Sequence, residues 1–328
     1  YKSKKYRGSI TLQSMENSDI TVVNELPLQE YLYSVVSSEM PSEWPMEALK
    51  AQAVAARNYA LYTMGKHEKH GFDLCASEHC QAYNGVSQEK ERSNEAVDAT
   101  KDKILLYNGN LVSAFYHSSS GGYTEDIENI WSGELDYIKG VEDKFSLGSP
   151  YDSWILELDK SEIEKKLEDS GEGVGTIKDI RPLEISKYGR VTKIEIKGTK
   201  DTKVFERERL RYILGTTSLK SIWYELKTDA DIYVKSTLAG STQLTKATGM
   251  TVISSTGKAK AENTANRIVV KGMSSTKSYS IVPNKYTFNG KGFGHGLGMS
   301  QYGAKGMAEA GYNYIEILEY YYQGAKVQ

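Results

Sequence analysis

The hydrophobic and polar positions of the first hundred residues recur with periods that name their elements. Residues 8–13 and 20–24 set β-branched side chains between turn formers, which predicts two strands. From there the period lengthens: Leu28, Tyr31, Leu32, Val35 and Val36 fall three and four apart and draw one apolar stripe along a helix. Pro27 stands where a first turn tolerates proline. Pro41 disfavours helical backbone at Met40, so the helix is expected to stop near Glu39. A second helix, rich in alanine, is predicted from Met46 to Met64, headed by Pro45 and ended by Gly65.

A polar, glycine-interrupted loop over 67–84 holds both cysteines and three of the five histidines, His67, His70 and His79. A helix over 88–100 is expected next. A hairpin follows, 104–107 and 111–116 about a type I′ turn at Asn108-Gly109. Its return strand delivers His117-Ser-Ser-Ser-Gly-Gly122. Between about 155 and 285 the pattern changes to short alternating runs such as Val191-Thr-Lys-Ile-Glu-Ile-Lys197, separated by Ser, Thr, Gly and Lys. The fold class is therefore α+β. A helical core packed with hairpins is expected over 1–150 and 286–328, with a β-rich inserted subdomain over 151–285.

Composition narrows the options. The 328 residues carry 41 Lys and Arg against 43 Asp and Glu, a net charge of −2 that gives no field for nucleic acid or anionic lipid. A mean hydropathy of −0.52 and the lack of a long apolar run argue against a membrane-embedded body. The chain opens without Met, so a lost leader or N-terminal anchor is expected. Twenty-four tyrosines against six phenylalanines favour surfaces that need a stacking face with a polar tip, as carbohydrate grooves do, although most tyrosines sit at core boundaries.

Five glycines lie between 290 and 298. Each would cost about 0.5–1 kcal/mol in regular structure, so they mark a loop that bends sharply or approaches a ligand. A phosphate cradle is the rival reading and a weak one, because no Lys-Ser or Lys-Thr follows and no ribose-binding acid lies in a βαβ unit. A serine nucleophile at Ser118 beside His117 lacks both the elbow pattern and an acid partner.

Several blocks together resemble the SpoIID/LytB family: Leu26-Pro-Leu-Gln-Glu-Tyr-Leu32, Val35-Val-Ser-Ser-Glu-Met-Pro41, the Ala48–Arg57 helix, Cys80-Gln-Ala-Tyr83, Tyr116-His-Ser-Ser-Ser-Gly-Gly-Tyr-Thr124, Gly294-His-Gly-Leu-Gly-Met-Ser-Gln-Tyr-Gly-Ala304 and Ile317-Leu-Glu-Tyr-Tyr-Tyr322. They stand in the family's order over about 24–140 and from 288 to the end. The resemblance implies an extracytoplasmic, membrane-anchored lytic transglycosylase that cuts peptidoglycan glycan strands during engulfment in endospore formers. It also implies partners: the sporulation amidase (stage II sporulation protein P) and a membrane protein (stage II sporulation protein M). The family's amidase enhancers keep open a second reading, a non-catalytic module that stimulates an amidase.

Glu39 is the expected acid/base. Apolar neighbours and the negative end of its helix both favour the protonated acid, and the resemblance gives this glutamate that role. Glu43 and Glu47, near a helix N-terminus, are stabilised as carboxylates instead. Arg57 is a candidate to pair bidentately with a sugar carboxyl or acyl group, with a surface ion pair as the equal alternative. The resemblance adds Gln81, Tyr83, His117, Ser119, Gly121, His295, Ser300, Gln301 and Tyr302 as groove residues. His70, Cys75, His79 and Cys80, with His67 able to replace His70, fit a closed structural zinc site. A Cys75–Cys80 disulfide and two free thiols are the alternatives, and an open coordination position would point to a zinc amidase or peptidase.

Overall fold

The computed structural model describes residues 4–14, 20–230 and 282–328, and between 233 and 280 the backbone of six short strands. The chain is a mixed α+β protein in two compact units: 1–152 with 292–328, and 153–291.

The first unit opens with an antiparallel hairpin, β1 (Ser9–Ser14) and β2 (Ile20–Glu25). Helix α1 (Leu28–Glu39) follows from Pro27, and Met40 leaves it in extended conformation, as a residue before proline must. Helix α2 (Met46–Thr63) ends at Met64, and Gly65 turns the chain at φ +80°. Helix α3 spans Glu91–Ala99. Leu32, Val35 and Val36 of α1 meet Ala53 and Ala56 of α2 and Val97 of α3 in one buried cluster. Each fully buried Leu or Val there contributes about 1.5–3 kcal/mol. The alanines let the helices approach.

Strands β3 (Leu105–Tyr107) and β4 (Asn110–Leu111) form the expected hairpin, with Asn108 and Gly109 both at positive φ. The return strand is shorter than its sequence pattern predicts. Asn58, buried in α2, donates to the carbonyls of Leu105 and Val112 at 2.6 and 3.1 Å and accepts from the Leu105 amide at 2.8 Å. A side chain thus satisfies the backbone past Leu111. The freed segment Tyr116–His117 becomes β5, paired in parallel with β6 (Met299–Ser300). After β5 comes a short helix, α4 (Ile127–Ile130). After β6 come α5 (Gln301–Glu309), α6 (Tyr314–Tyr321) and β7 (Lys326–Val327), which adds to β3.

The second unit contains an antiparallel sheet in the order 224–228, 285–290, 154–159, and a three-stranded meander over 177–206. Strand Lys285–Gly290 is the middle strand of the first sheet, so it belongs to this unit, and the first unit resumes at Gly292. Three further antiparallel strand pairs lie between Tyr233 and Ser280.

The glycine loop bends, and what it approaches is its own chain. A Cβ on Gly298 would strike the Phe115 carbonyl, and one on Gly294 would crowd His117. Inside α5 a Cβ on Gly303 would strike the Tyr321 hydroxyl and the Asp143 carboxylate. Gly303→Ala is therefore expected to cost about 1–3 kcal/mol by overpacking; a melting temperature equal to that of the parent would overturn this account.

Candidate active site

Glu39 is the last residue of α1 and is half-buried. Gln301, at the start of α5, donates from Nε2 to Glu39 Oε2 at 3.3 Å and to Gln52 Oε1 of α2 at 3.4 Å. The Ala82 amide and the Tyr116 hydroxyl also hydrogen-bond the carboxyl. Burial pushes the Glu39 pKa up, and the Gln301, Ala82 and Tyr116 donors pull against that rise. Desolvation prevails, and the acid is held above the usual carboxylate range.

Behind Glu39 runs a directed chain of hydrogen bonds. Tyr31 Oη donates to Gln81 Oε1 at 3.2 Å, and Gln81 Nε2 donates to Tyr116 Oη at 3.0 Å. With the Tyr116 oxygen accepting from the amide, its own proton is left for Glu39. Gln81 is 1% exposed and spends its other donor on the Ala56 carbonyl. It is a support for the site, where a groove residue was expected. Tyr83 is likewise buried, stacked on Tyr31 with its hydroxyl on Asn24 Oδ1 at 2.6 Å.

The β5–β6 pair ties the two ends of the unit together. His117 is buried and bonds through Nδ1 to the Leu297 carbonyl at 3.0 Å, which makes Nδ1 its protonated nitrogen. His295, half-exposed, accepts from the Leu297 amide at Nδ1 at 2.9 Å, which leaves the proton on Nε2 in its neutral form. One residue's backbone sets opposite tautomers on two rings 5.4 Å apart.

Ser119 and Ser300 are buried, and Gly121 forms a turn at φ +74°. Ser119 Oγ shares a bond with Ser149 Oγ, and Ser300 caps α5 by accepting from the Gly303 amide at 3.1 Å. These contacts shape the backbone around the 117–122 turn and the start of α5.

Arg57 is the clearest departure from expectation. It is 3% exposed and donates to the Lys103 and Val97 carbonyls and weakly to Gln29, so its fork ties α2 to the segment after α3. Burial brings its pKa down to about 10. Of the remaining expected residues, Gln301 touches Glu39, and Tyr302 presents a half-exposed ring against Trp44.

Sequence reading missed Asp143. It is fully buried and accepts from Ser120 Oγ at 2.6 Å and Tyr321 Oη at 2.8 Å, so that it clamps the 117–122 turn against α5 and α6. Nothing in its local sequence marks it. Gln52 was hidden in the alanine-rich run of α2, and Tyr116 and Tyr31 read as ordinary aromatics.

Ligand atoms of His67, Cys75, His79 and Cys80 lie within 4.8 Å of one another. His67 therefore stands where His70 was expected, while the His70 ring lies 6.2 Å from that of His67 and 6.3 Å from that of Phe72. Both thiols are free, so the disulfide alternative is not what this structure contains. The separations Cys75 Sγ–His79 Nδ1 (3.5 Å), Cys80 Sγ–His67 Nε2 (3.4 Å) and Cys80 Sγ–His79 Nδ1 (3.7 Å) match the edges of about 3.4–3.8 Å that tetrahedral zinc bonds to nitrogen and sulfur require. Burial opposes ionisation of Cys75, yet hydrogen bonds from Ser77 and His79 bring its thiol down to about 6. The donor set fits a closed four-ligand site.

A family model described as stage II sporulation protein (SpoIID) matches residues 16–107, and a domain of unknown function (DUF8618) matches 149–242. The chain is 34% identical over 89% of its length to the "Amidase enhancer" of Bacillus subtilis (strain 168), of which it spans 39%. It is 28% identical over 93% of its length to "Stage II sporulation protein D" of the same organism, of which it spans 75%. An uncharacterized protein of Brachyspira hyodysenteriae is 28% identical over 95% of this chain, which spans 69% of that protein. No helix among the described residues is long and apolar enough to cross a membrane.

A raised carboxyl pKa is a stability statement. Below the unfolded carboxylate range Glu39 is protonated in both states and costs nothing. As pH rises through its higher folded pKa, the desolvated carboxylate costs stability that a glutamine would not. Glu39→Gln should thus melt higher than the parent near pH 7, with the gap closing toward pH 4. A gap that is constant with pH, or reversed, contradicts a desolvated acid at this position.

Proposed function

Because the chain belongs to the SpoIID family, we propose that it is a peptidoglycan lytic transglycosylase in which Glu39 is the single acid/base. The observation that carries this reading is the Glu39 carboxyl itself: half-buried, shifted toward the protonated form, and held by donors from three distant stretches of chain. Glycoside cleavage needs a proton on the departing oxygen. A transglycosylase needs no second carboxylate to activate water, because the muramic C6 hydroxyl attacks C1 of its own sugar.

The steps balance on one group. Glu39 gives its proton to the bridging oxygen as the C1–O bond breaks, and becomes a carboxylate. The C6 oxygen closes on C1, and the carboxylate takes the C6 proton. The acid is regenerated and a 1,6-anhydro end is left. Gln301, Ala82 and Tyr116 hold the carboxyl in both states, and their hydrogen bonds are strongest to the anion. Burial raises the carboxyl pKa and so favours the protonated resting state.

Peptide-stripped glycan strands are the proposed substrate, outside the cytoplasm, through an N-terminal membrane anchor during sporulation engulfment. The proposed partners are the sporulation amidase and the membrane protein named by the family resemblance. One observation favours a second reading: a relative aligned over 89% of this chain bears the name amidase enhancer. That reading makes the chain a non-catalytic module that stimulates an amidase, and it leaves a desolvated acid without a task.

Digestion of peptide-free glycan strands followed by mass spectrometry separates the two. The enzyme reading expects anhydro-muramyl ends whose rate falls about 10²–10⁴-fold in Glu39→Gln; equal action by the variant, or no anhydro ends from the parent, favours the module.

His67, Cys75, His79 and Cys80 are proposed to hold a structural zinc ion, which when bound would cross-link the 67–80 loop without taking part in the chemistry. One zinc per chain is expected on metal analysis, with a lower melting temperature after chelation and loss of zinc in Cys75→Ser. Zinc-free protein that melts like the parent would remove this assignment.

A further inference from the structure

Four aromatic side chains from three stretches of the first unit touch in a row. Trp44 meets Tyr302 edge to face with centroids 4.9 Å apart. Tyr302 meets Tyr151 at 5.8 Å, and Tyr151 meets Phe293 at 4.9 Å. None of the four is a core residue; each is half-buried, with part of its surface open to solvent. Rings recruited only for stability would be covered, since an aromatic side chain gains most from complete burial.

The polar tips of the row are also unspent. The Trp44 indole N–H and the Tyr151 and Tyr302 hydroxyls have no hydrogen-bond partner among the described residues. Elsewhere in this unit aromatic hydroxyls find partners, as those of Tyr31, Tyr83, Tyr321 and Tyr322 do. Three tips of one row are therefore left for water or a ligand.

The row is fastened beside Glu39. Tyr302 directly follows Gln301, whose amide holds the Glu39 carboxyl, and its own backbone amide donates to the Ser118 carbonyl at 3.0 Å. Trp44 belongs to the turn that leaves α1 after Glu39 and is set by the hydrogen bond its backbone amide donates to the Pro41 carbonyl at 3.1 Å. Neither ring can move far without moving the site.

Charge and shape choose the ligand class. Among the described residues the cation over a ring of the row is Lys305, 5.7 Å from the Trp44 centroid, and it is paired with Glu309 at 3.3 Å. Phosphate-bearing strands call for many cations. A neutral pyranose suits the row, with apolar C–H faces for the rings and equatorial hydroxyls for the N–H and O–H tips.

We propose that Trp44, Tyr302, Tyr151 and Phe293 form an extended binding row for N-acetylated hexosamine strands, so that the strand is gripped over several sugars beside the bond offered to Glu39. The inference rests on the transglycosylase reading for its substrate class. Its physical content is binding, which can be measured without turnover.

Isothermal titration calorimetry on full-length Glu39→Gln, with chitobiose and chitohexaose as probes, tests it. Chitohexaose should bind at least tenfold more tightly than chitobiose. Trp44→Ala and Tyr151→Ala, added singly, should each weaken chitohexaose about tenfold with a smaller effect on chitobiose. Tyr151→Phe and Tyr302→Phe keep the rings and serve where an alanine variant melts abnormally; each should weaken chitohexaose about threefold through loss of a hydroxyl. Affinity that does not depend on length, no binding of chitohexaose, or row variants that fold normally and bind like the parent would overturn the proposal. Length-dependent binding that needs the rings, in a protein whose parent leaves no anhydro ends, supports the row and rejects the transglycosylase. Anhydro ends without any effect of the row variants on binding reject the row alone.

Discussion

The first unit is organised around one desolvated carboxyl. Glu39 closes a helix whose other face is buried, and the donors that hydrogen-bond it come from far away in the chain: Gln301 from the far end, Tyr116 from a detached strand, Ala82 from the loop after Cys80. A carboxyl left in water would need none of this. A carboxyl buried without donors would be too costly to ionise at any point in a reaction cycle. The arrangement sits between these limits, with burial raising the acid's pKa and three donors keeping the anion accessible.

That balance explains features that look unrelated at first sight. Asn58 ends the β3–β4 hairpin by taking the Leu105 amide and the Val112 carbonyl that would otherwise bond each other, and beyond it Tyr116 pairs with Met299 and turns its hydroxyl to Glu39. Asp143 is itself a buried carboxyl raised by desolvation, and it clamps the serine turn onto the start of α5, where Gln301 is presented. Gly303 is glycine because Asp143 and Tyr321 occupy the space of its side chain. Support and site are built from the same blocks.

What was legible in the sequence follows from how local each signal is. The helices at 28–39 and 46–63 were readable because apolar period, proline and glycine act within a few residues. The turn at Asn108-Gly109 was readable for the same reason. The length of the return strand was not, since it is set by a side chain more than forty residues earlier. Glu39 was singled out by its motif block, to which the adjacent apolar neighbours added a reason for a raised pKa. Arg57 could not be judged, because its acceptors at Val97 and Lys103 are tertiary. The buried locations of Gln81, His117, Ser119 and Ser300 show the same limit: motif blocks mark residues that matter to a site without saying whether they face the ligand or hold up the wall behind it.

The cysteine and histidine cluster extends this reasoning to the one part of the site built on a loop. Cys80, Gln81 and Ala82 are consecutive, and they serve in turn as a thiol of the cluster, the amide that directs the Tyr116 proton, and a backbone donor to Glu39. Planar peptide bonds leave only two soft torsions per residue between them, so the geometry at the carboxyl is as well defined as the position of Cys80. A polar segment such as 67–80, with one short 3₁₀ turn and no buried residue before Cys80, has little apolar burial to define it. The zinc ion proposed for His67, Cys75, His79 and Cys80 would supply that rigidity. It would give a closed donor set a structural part beside the chemistry proposed for Glu39.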